Sequence, residues 1–152
     1  MLLLLLTNTI QAQQLPEFSL KDLEYNLRSF EDLKGEQLTL FDFWATWCKP
    51  CRKAIPELNK IYETYQERGV EIIGVNCDGP RSTAKVAPMA RSLNIQYPVL
   101  LDINSDLMNE MNLANFPTLL AVNSKGKVVY VHEGFALGDE VEIIEAIDDL
   151  ID

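Results

Sequence analysis

The sequence of 152 residues is poor in basic residues, in histidine and in cysteine. Thirteen lysines and arginines stand against 23 acidic residues, and the formal net charge of −10 repels phosphate backbones and anionic headgroups. Three cysteines are too few for a disulfide-framework scaffold, and a 47% hydrophobic content can build a sizeable core without one. We therefore expect one compact globular domain with no nucleic-acid partner.

No apolar run is long enough to span a bilayer, so we expect no stable membrane insertion. Residues 1–6 are almost pure leucine, and polar residues and the small Ala12 follow them, as at the end of a secretory signal. We expect residues 1–14 to be a signal segment or a disordered extension, and residues 15–152 to form the domain. This predicts a periplasmic or otherwise extracytoplasmic protein. An ordered extension of a cytoplasmic protein is the alternative.

Hydrophobic periodicity predicts strands that alternate with helices, and hence an α/β fold with a mixed sheet. The residue after the longest helix, Gly69, is a natural helix stop, and Ser105 is a candidate N-cap. Val141, Ile144, Ile147 and Ile151 are expected to form the buried stripe of the last helix. The predicted strands are 38–44, 70–75, 99–101, 118–122 and 128–132, with a weaker hairpin at 18–20 and 26–29; the predicted helices are 51–68, 83–93, 105–111 and 139–151.

Two cysteines three residues apart form the chemical centre of the sequence. Cys51 opens the longest helix, so Cys48 lies at its N-terminus, where free backbone N–H groups, the helix dipole and Lys49 stabilise a thiolate. Cys48 is therefore the candidate nucleophile and Cys51 the resolving thiol, with their disulfide as the redox group and no other cofactor. Zinc would need two further ligands, and Cys77 and His132 lie far apart in strand-like runs. A static disulfide is the other alternative.

Three separated motifs resemble the thioredoxin superfamily. Residues 41–51 resemble its active-site segment, Pro56 matches the proline that bends its first helix, and residues 116–118 (Phe-Pro-Thr) resemble its cis-proline loop. Residues 97–102 resemble the inserted strand of the TlpA/ResA-like extracytoplasmic thiol-disulfide oxidoreductases. The resemblance implies a central mixed β-sheet flanked by helices, with an N-terminal β-hairpin and a helix-strand insertion before the cis-proline loop. Peroxiredoxins share a similar insertion but lack the paired cysteines, so peroxidase activity is disfavoured.

Asp42 interrupts an apolar strand, where burial raises the pKa of a carboxyl. The resemblance implies that Asp42 takes and returns the proton of Cys51. Two departures from the family pattern leave desolvation as the main influence on Asp42: Ala54 replaces a glutamate that the TlpA/ResA-like proteins often carry, and Gly74 stands where thioredoxin has a lysine. A solvated or cap-forming aspartate at a strand end is the alternative.

The resemblance also implies a substrate groove beside Cys48. Pro117, if cis, turns the backbone of Phe116 toward an extended substrate and fills the space that a metal ligand would need. Trp47, Lys49 and Pro50 are expected to line the same groove. Trp44, Cys77, His132, Met108 and Met111 are expected to serve packing.

These features predict a thiol-disulfide oxidoreductase, a monomer that exchanges disulfides with protein substrates. The resemblance favours a reductant in redox homeostasis or cytochrome maturation, recharged by an upstream membrane or soluble thiol reductant. The direction of electron flow is not written in the sequence, because about 30 mV corresponds to only ~1.4 kcal/mol. A Cu(I) metallochaperone and a non-catalytic thioredoxin-like module are the alternatives.

Overall fold

Seven strands and five helices alternate along residues 13–151, the part of the chain that the computed structural model describes. The strands are β1 (Leu20–Asp22), β2 (Leu27–Arg28), β3 (Leu38–Trp44), β4 (Val70–Asn76), β5 (Val99–Leu101), β6 (Thr118–Asn123) and β7 (Val128–Glu133). The helices are α1 (Phe30–Leu33), α2 (Lys49–Tyr65), α3 (Val86–Ser92), α4 (Asp106–Glu110) and α5 (Asp139–Ile151), with 3₁₀ turns at Gln66–Arg68 and Thr83–Lys85.

The strands form one mixed sheet in the order β2-β1-β5-β4-β3-β6-β7. Strands β3, β4 and β5 run parallel, whereas β6 is antiparallel to β3 and to β7, and β1 is antiparallel to β5 and to β2. All seven residues of β3 are buried, because helices and loops cover both faces of the sheet at its centre. This confirms the predicted mixed sheet and the N-terminal hairpin.

The alternation of side chains along β3 divides the core between the two faces of the sheet. Phe41 and Phe43 pack with Ile73, Val75 and Leu100 on one face. On the other face, β3 and β4 pack against α2 and α5 through Leu38, Leu40, Leu58, Ile61, Ile72, Ile143 and Ile147. Asp42 and Trp44 belong to this second face by their alternation with Phe41 and Phe43, so they lie on the side of α2.

Two predicted details of the helices are wrong. Ser105 has a left-handed backbone (φ +58°) and makes no side-chain cap; instead the Asp102 carboxylate accepts the N–H groups of Leu107 and Met108, at 3.3 and 3.0 Å. Val141 is 56% exposed, whereas Ile143 and Ile147 are buried. Two residues correspond to about 200° around a helix, so Val141 lies almost opposite Ile143.

Gln13 and Gln14, which the sequence prediction assigns to the signal segment or extension, contact the start of β7. The Gln13 carbonyl accepts the Val128 N–H, and Gln14 pairs with Lys127 as an antiparallel bridge. The remainder of the predicted signal or extension, residues 1–12, lies outside the described residues. Between residues 13 and 151, no helix combines the length and the apolar character needed to cross a membrane.

Candidate active site

Cys48 and Cys51 form a disulfide at the N-terminus of α2. Cys48 is the N-cap residue and Pro50 lies in the first turn, where its missing N–H costs no hydrogen bond. The two Cα atoms are 5.3 Å apart, and the Cys51 N–H donates to the Cys48 Sγ at 3.2 Å. Cys48 is 4% exposed and Cys51 is fully buried. Cys48 is thus the more exposed residue of the pair.

A buried carboxylate holds the loop that leads into Cys48. Asp78, just beyond β4, accepts the Thr46 N–H at 2.7 Å, the Thr46 hydroxyl at 2.5 Å and the Asn76 side-chain amide at 3.0 Å. These bonds fasten the segment before Cys48 to the carboxyl end of the neighbouring strand. Local sequence patterns do not reveal this role of Asp78, whose only local signal is that Asn76 and Asp78 are polar residues at the carboxyl end of a buried parallel strand.

An aromatic pair lies beside the disulfide. Trp47 is 67% exposed, and its ring packs edge-on against Phe116 with the ring centroids 5.5 Å apart. Phe116 also packs against the buried cluster that contains Cys48 and Cys51, and the Phe116–Pro117 peptide bond is cis. The structure therefore brings the two predicted groove segments together, with Lys49 and Pro50 exposed next to them. Trp44 is fully buried, which confirms its predicted place in the core.

Asp42 is buried in the middle of β3, 1% exposed, between Gly74 of β4 and Leu119 of β6 in the sheet register. Burial raises the pKa of this carboxyl to about 7, and the Tyr97 hydroxyl opposes the rise. No cation among the described residues contributes to the shift, which confirms the prediction from Gly74. Asp42 also lines a narrow crevice together with Ala54 of α2, Pro117 and His132.

The remaining cysteine, the histidine and two methionines make contacts within the fold. Cys77 is a buried free thiol whose pKa is raised by burial and by the nearby carboxylates of Asp102 and Asp78. His132 is half-buried on β7 and pairs with Asp139 at 3.2 Å. Residues 13–151 contain no group of three or more His, Cys, Asp or Glu side chains placed to hold a metal ion. Met108 and Met111 are buried in the core.

A disulfide at the start of a long helix, beside a cis-proline loop on a mixed sheet, defines a thioredoxin-fold protein with a Cys-x-x-Cys redox site. The chain belongs to the AhpC/TSA family, which it matches over residues 12–131.

Proteins of similar sequence and structure agree with this class. The chain is 32% identical over 127 residues to the thiol-disulfide oxidoreductase ResA of Geobacillus thermodenitrificans. The matched region covers 84% of this chain and 71% of that protein. It is 34% identical over 136 residues to the thioredoxin-like protein YneN of Bacillus subtilis, over 87% of this chain and 76% of that protein. The structure of a candidate thiol:disulfide interchange protein DsbE from Chlorobium tepidum superposes with a TM-score of 0.86 at 24% identity, over 93% and 98% of the two chains, and confirms the fold.

Proposed function

We propose that this protein is a thiol-disulfide oxidoreductase that reduces disulfides of other proteins outside the cytoplasm. The observation that carries the proposal is the Cys48–Cys51 pair at the N-terminus of α2, in which the Cys51 N–H donates a hydrogen bond to the Cys48 Sγ. The same N–H and the helix dipole stabilise a thiolate at Cys48 once the disulfide is reduced. The ResA and YneN relatives support a redox role, because the first is named a thiol-disulfide oxidoreductase and the second a thioredoxin-like protein.

The reaction is a two-electron exchange in two steps. The Cys48 thiolate attacks one sulfur of the substrate disulfide, so a mixed disulfide forms and the other substrate sulfur leaves and takes up a proton. Cys51 then loses its proton and attacks the Cys48 sulfur, which releases the second substrate thiol. The substrate gains two electrons and two protons, and Cys48 and Cys51 are oxidised to their disulfide. An upstream thiol reductant restores the dithiol by the reverse exchange.

Asp42 is the group that we assign to the proton of Cys51. A carboxyl with a pKa of about 7 exchanges protons readily at neutral pH, whereas an ordinary aspartate would be fully ionised. Asp42 shares a crevice with Ala54, which lies one helical turn after Cys51 on α2. The carboxylate therefore accepts the proton when Cys51 attacks and returns it when the disulfide is reduced.

The substrate is an extended protein segment that lies across Trp47 and the Phe116–Pro117 loop. An exposed tryptophan packed on a second aromatic ring offers an apolar surface next to Cys48, and the backbone of Phe116 offers hydrogen bonds to the segment. Lys49 and Pro50 border this surface. The leucine-rich residues 1–6 support an extracytoplasmic location, and we propose that the protein acts as a monomer.

Turnover of a protein disulfide tests the proposal. We expect the wild-type protein to reduce insulin with dithiothreitol as the electron source, and Cys48→Ala to lose this activity. Cys77→Ala is the matched control, because it removes the buried free cysteine and leaves the pair intact. A Cys51→Ser variant should accumulate mixed disulfides with its substrates. Turnover by Cys48→Ala at the wild-type rate would overturn the assignment.

A further inference from the structure

Three buried polar atoms lack a hydrogen-bond partner within residues 13–151, and they belong to residues that surround Gly74. They are Asp42 Oδ2, Trp44 Nε1 and Tyr97 Oη. A Cβ placed on Gly74 would lie 3.3 Å from Trp44 Nε1 and 3.3 Å from Tyr97 Cε2, and Asp42 is the register partner of Gly74 on β3. Buried polar groups without partners are uncommon in folded proteins and are often associated with function.

The sheet register explains how Tyr97 reaches toward Asp42. Asp42, Gly74 and Val99 lie in one row across β3, β4 and β5, so they face the same side of the sheet. Tyr97 lies two residues before Val99, just outside β5, and its ring is on the same side, because its Cε2 lies 3.3 Å from a Cβ placed on Gly74. Strand β5 is two strand spacings from β3, or about 10 Å, so the tyrosine ring must pass over β4. The position that it passes over is Gly74, the one residue type without a side chain.

The tyrosine ring is held in this place. Tyr97 is 4% exposed, and its ring packs edge-on against Tyr62 of α2 with the centroids 6.0 Å apart. Burial and the neighbouring Asp42 raise the pKa of Tyr97 well above its ordinary value, so its hydroxyl keeps its proton. The hydroxyl is therefore a permanent neutral donor that lies next to a carboxyl which changes its charge.

We propose that Tyr97 is a positioning residue for proton transfer at Asp42. When Asp42 ionises, the Tyr97 hydroxyl donates a hydrogen bond to its carboxylate. Gly74 is the residue that permits the approach. This inference rests on the proposed role of Asp42 as the proton acceptor of Cys51. In the resting structure the two groups do not form a regular hydrogen bond, and such contacts often tighten only during reaction.

No cation among the described residues contributes to the pKa shift of Asp42. Helix α2 contributes Cys51, one turn from the Ala54 that shares the crevice with Asp42, and β7 contributes His132 to the lining of the same crevice. Cys77 at the end of β4 senses the charge of Asp42 and is itself a thiol of raised pKa. Among the described residues, Tyr97 is the group whose hydroxyl lowers the pKa of Asp42 and so favours its ionised form.

Tyr97→Phe keeps the ring and removes the hydroxyl. Because the ionised form of Asp42 loses a donor, its acid dissociation constant should fall about two- to tenfold, as expected for one hydrogen bond. The rate of the Cys51-dependent step at pH 7 should then fall about two- to fivefold, with recovery at higher pH. Tyr62→Phe is the matched control, since it removes the hydroxyl of the adjoining ring, which accepts a hydrogen bond from Gln66 and does not contribute to the pKa shift of Asp42.

The experiment follows stopped-flow oxidation of the reduced protein by a peptide disulfide from pH 5.5 to 9. In parallel, NMR follows the Asp42 carboxyl carbon of the oxidised protein in the same pH range, with Asp42→Asn used to assign the resonance. We expect both midpoints to move to higher pH in Tyr97→Phe and to stay at the wild-type values in Tyr62→Phe. Wild-type midpoints in Tyr97→Phe would overturn the inference.

Asp42→Asn separates this inference from the proposed function. If the kinetic midpoint of the wild type persists in Asp42→Asn, the proton role of Asp42 fails and the inference fails with it. If the midpoint disappears in Asp42→Asn but is unmoved in Tyr97→Phe, only the role of Tyr97 is overturned. Gly74→Ala gives a second readout, because the added methyl group pushes the ring away, and it should move the midpoint in the same direction as Tyr97→Phe.

Discussion

Two regions of the sheet each bury a carboxylate beside the redox pair, and the two carboxylates differ in their hydrogen-bond partners. At the carboxyl end of β4, Asp78 accepts three hydrogen bonds from Thr46 and Asn76. In the middle of β3, Asp42 has one oxygen without a partner and no neighbouring cation among the described residues. A buried carboxylate that is saturated with donors fixes a loop, whereas one that lacks them becomes a group that exchanges protons near neutral pH.

The largest expected effect concerns the stability cost of Asp42. Its folded-state pKa of about 7 lies above the unfolded value of 3.8, so the unfolded state releases the proton first as the pH rises. The contribution of Asp42 to the free energy of unfolding is therefore complete below the unfolded-state pKa. It falls between pH 4 and 7, by about 4 kcal/mol in total. Asp42→Asn should flatten this decline in urea unfolding at pH 4, 5.5 and 7.5. A parallel decline in wild type and variant would contradict the burial of the charge.

Removal of the Asp78 carboxylate should act in the opposite direction. Asp78→Ala leaves the Thr46 N–H and hydroxyl without their acceptor, and we expect a loss of about 3 kcal/mol at pH 7. The loop before Cys48 should loosen as well, so the alkylation rate of reduced Cys48 should change. Asp149→Ala, on an exposed part of α5, is the control and should stay near the wild-type stability. Equal stability of the two variants would refute the anchoring role of Asp78.

A smaller effect separates Asp102 from Ser105 at the start of α4. Asp102→Ala removes the acceptor for two backbone N–H groups and should cost about 1–2 kcal/mol in thermal or urea unfolding. Ser105→Ala should cost less than about 0.5 kcal/mol, because this side chain makes no cap. A larger loss of stability in Ser105→Ala than in Asp102→Ala would contradict this account and support the N-cap that the sequence pattern predicts.

Local patterns predict the elements that carry strong hydrophobic signals. The bounds of β3, β5 and α5 agree with the sequence prediction, as does the N-terminal place of Cys48. These features depend on periodicity and on one helix boundary, so they are visible in short stretches of sequence. The pairing of Asp42 with Gly74 is implied by the family resemblance and not by a local pattern.

The features that the sequence analysis missed depend on contacts between distant segments. Tyr97 comes near Asp42 only because β5, β4 and β3 are neighbours in the sheet, and Asp78 holds Thr46 for a similar reason. Helix α1 is not predicted, because four residues are too few to show a helical period. Asp102 caps α4 from beyond the usual N-cap position, so the standard capping pattern points to the wrong residue.

The most direct test of the account is the pH dependence of alkylation of the reduced protein by iodoacetamide, with the modified cysteine identified by peptide mapping. Cys48 should react with a midpoint well below the value of about 8.5 for a free thiol, while Cys51, which is fully buried, and Cys77, whose pKa is raised by burial and by neighbouring carboxylates, stay unmodified. A midpoint at or above the free-thiol value, with Cys48 and Cys51 modified at equal rates, would contradict an activated nucleophile at the start of α2.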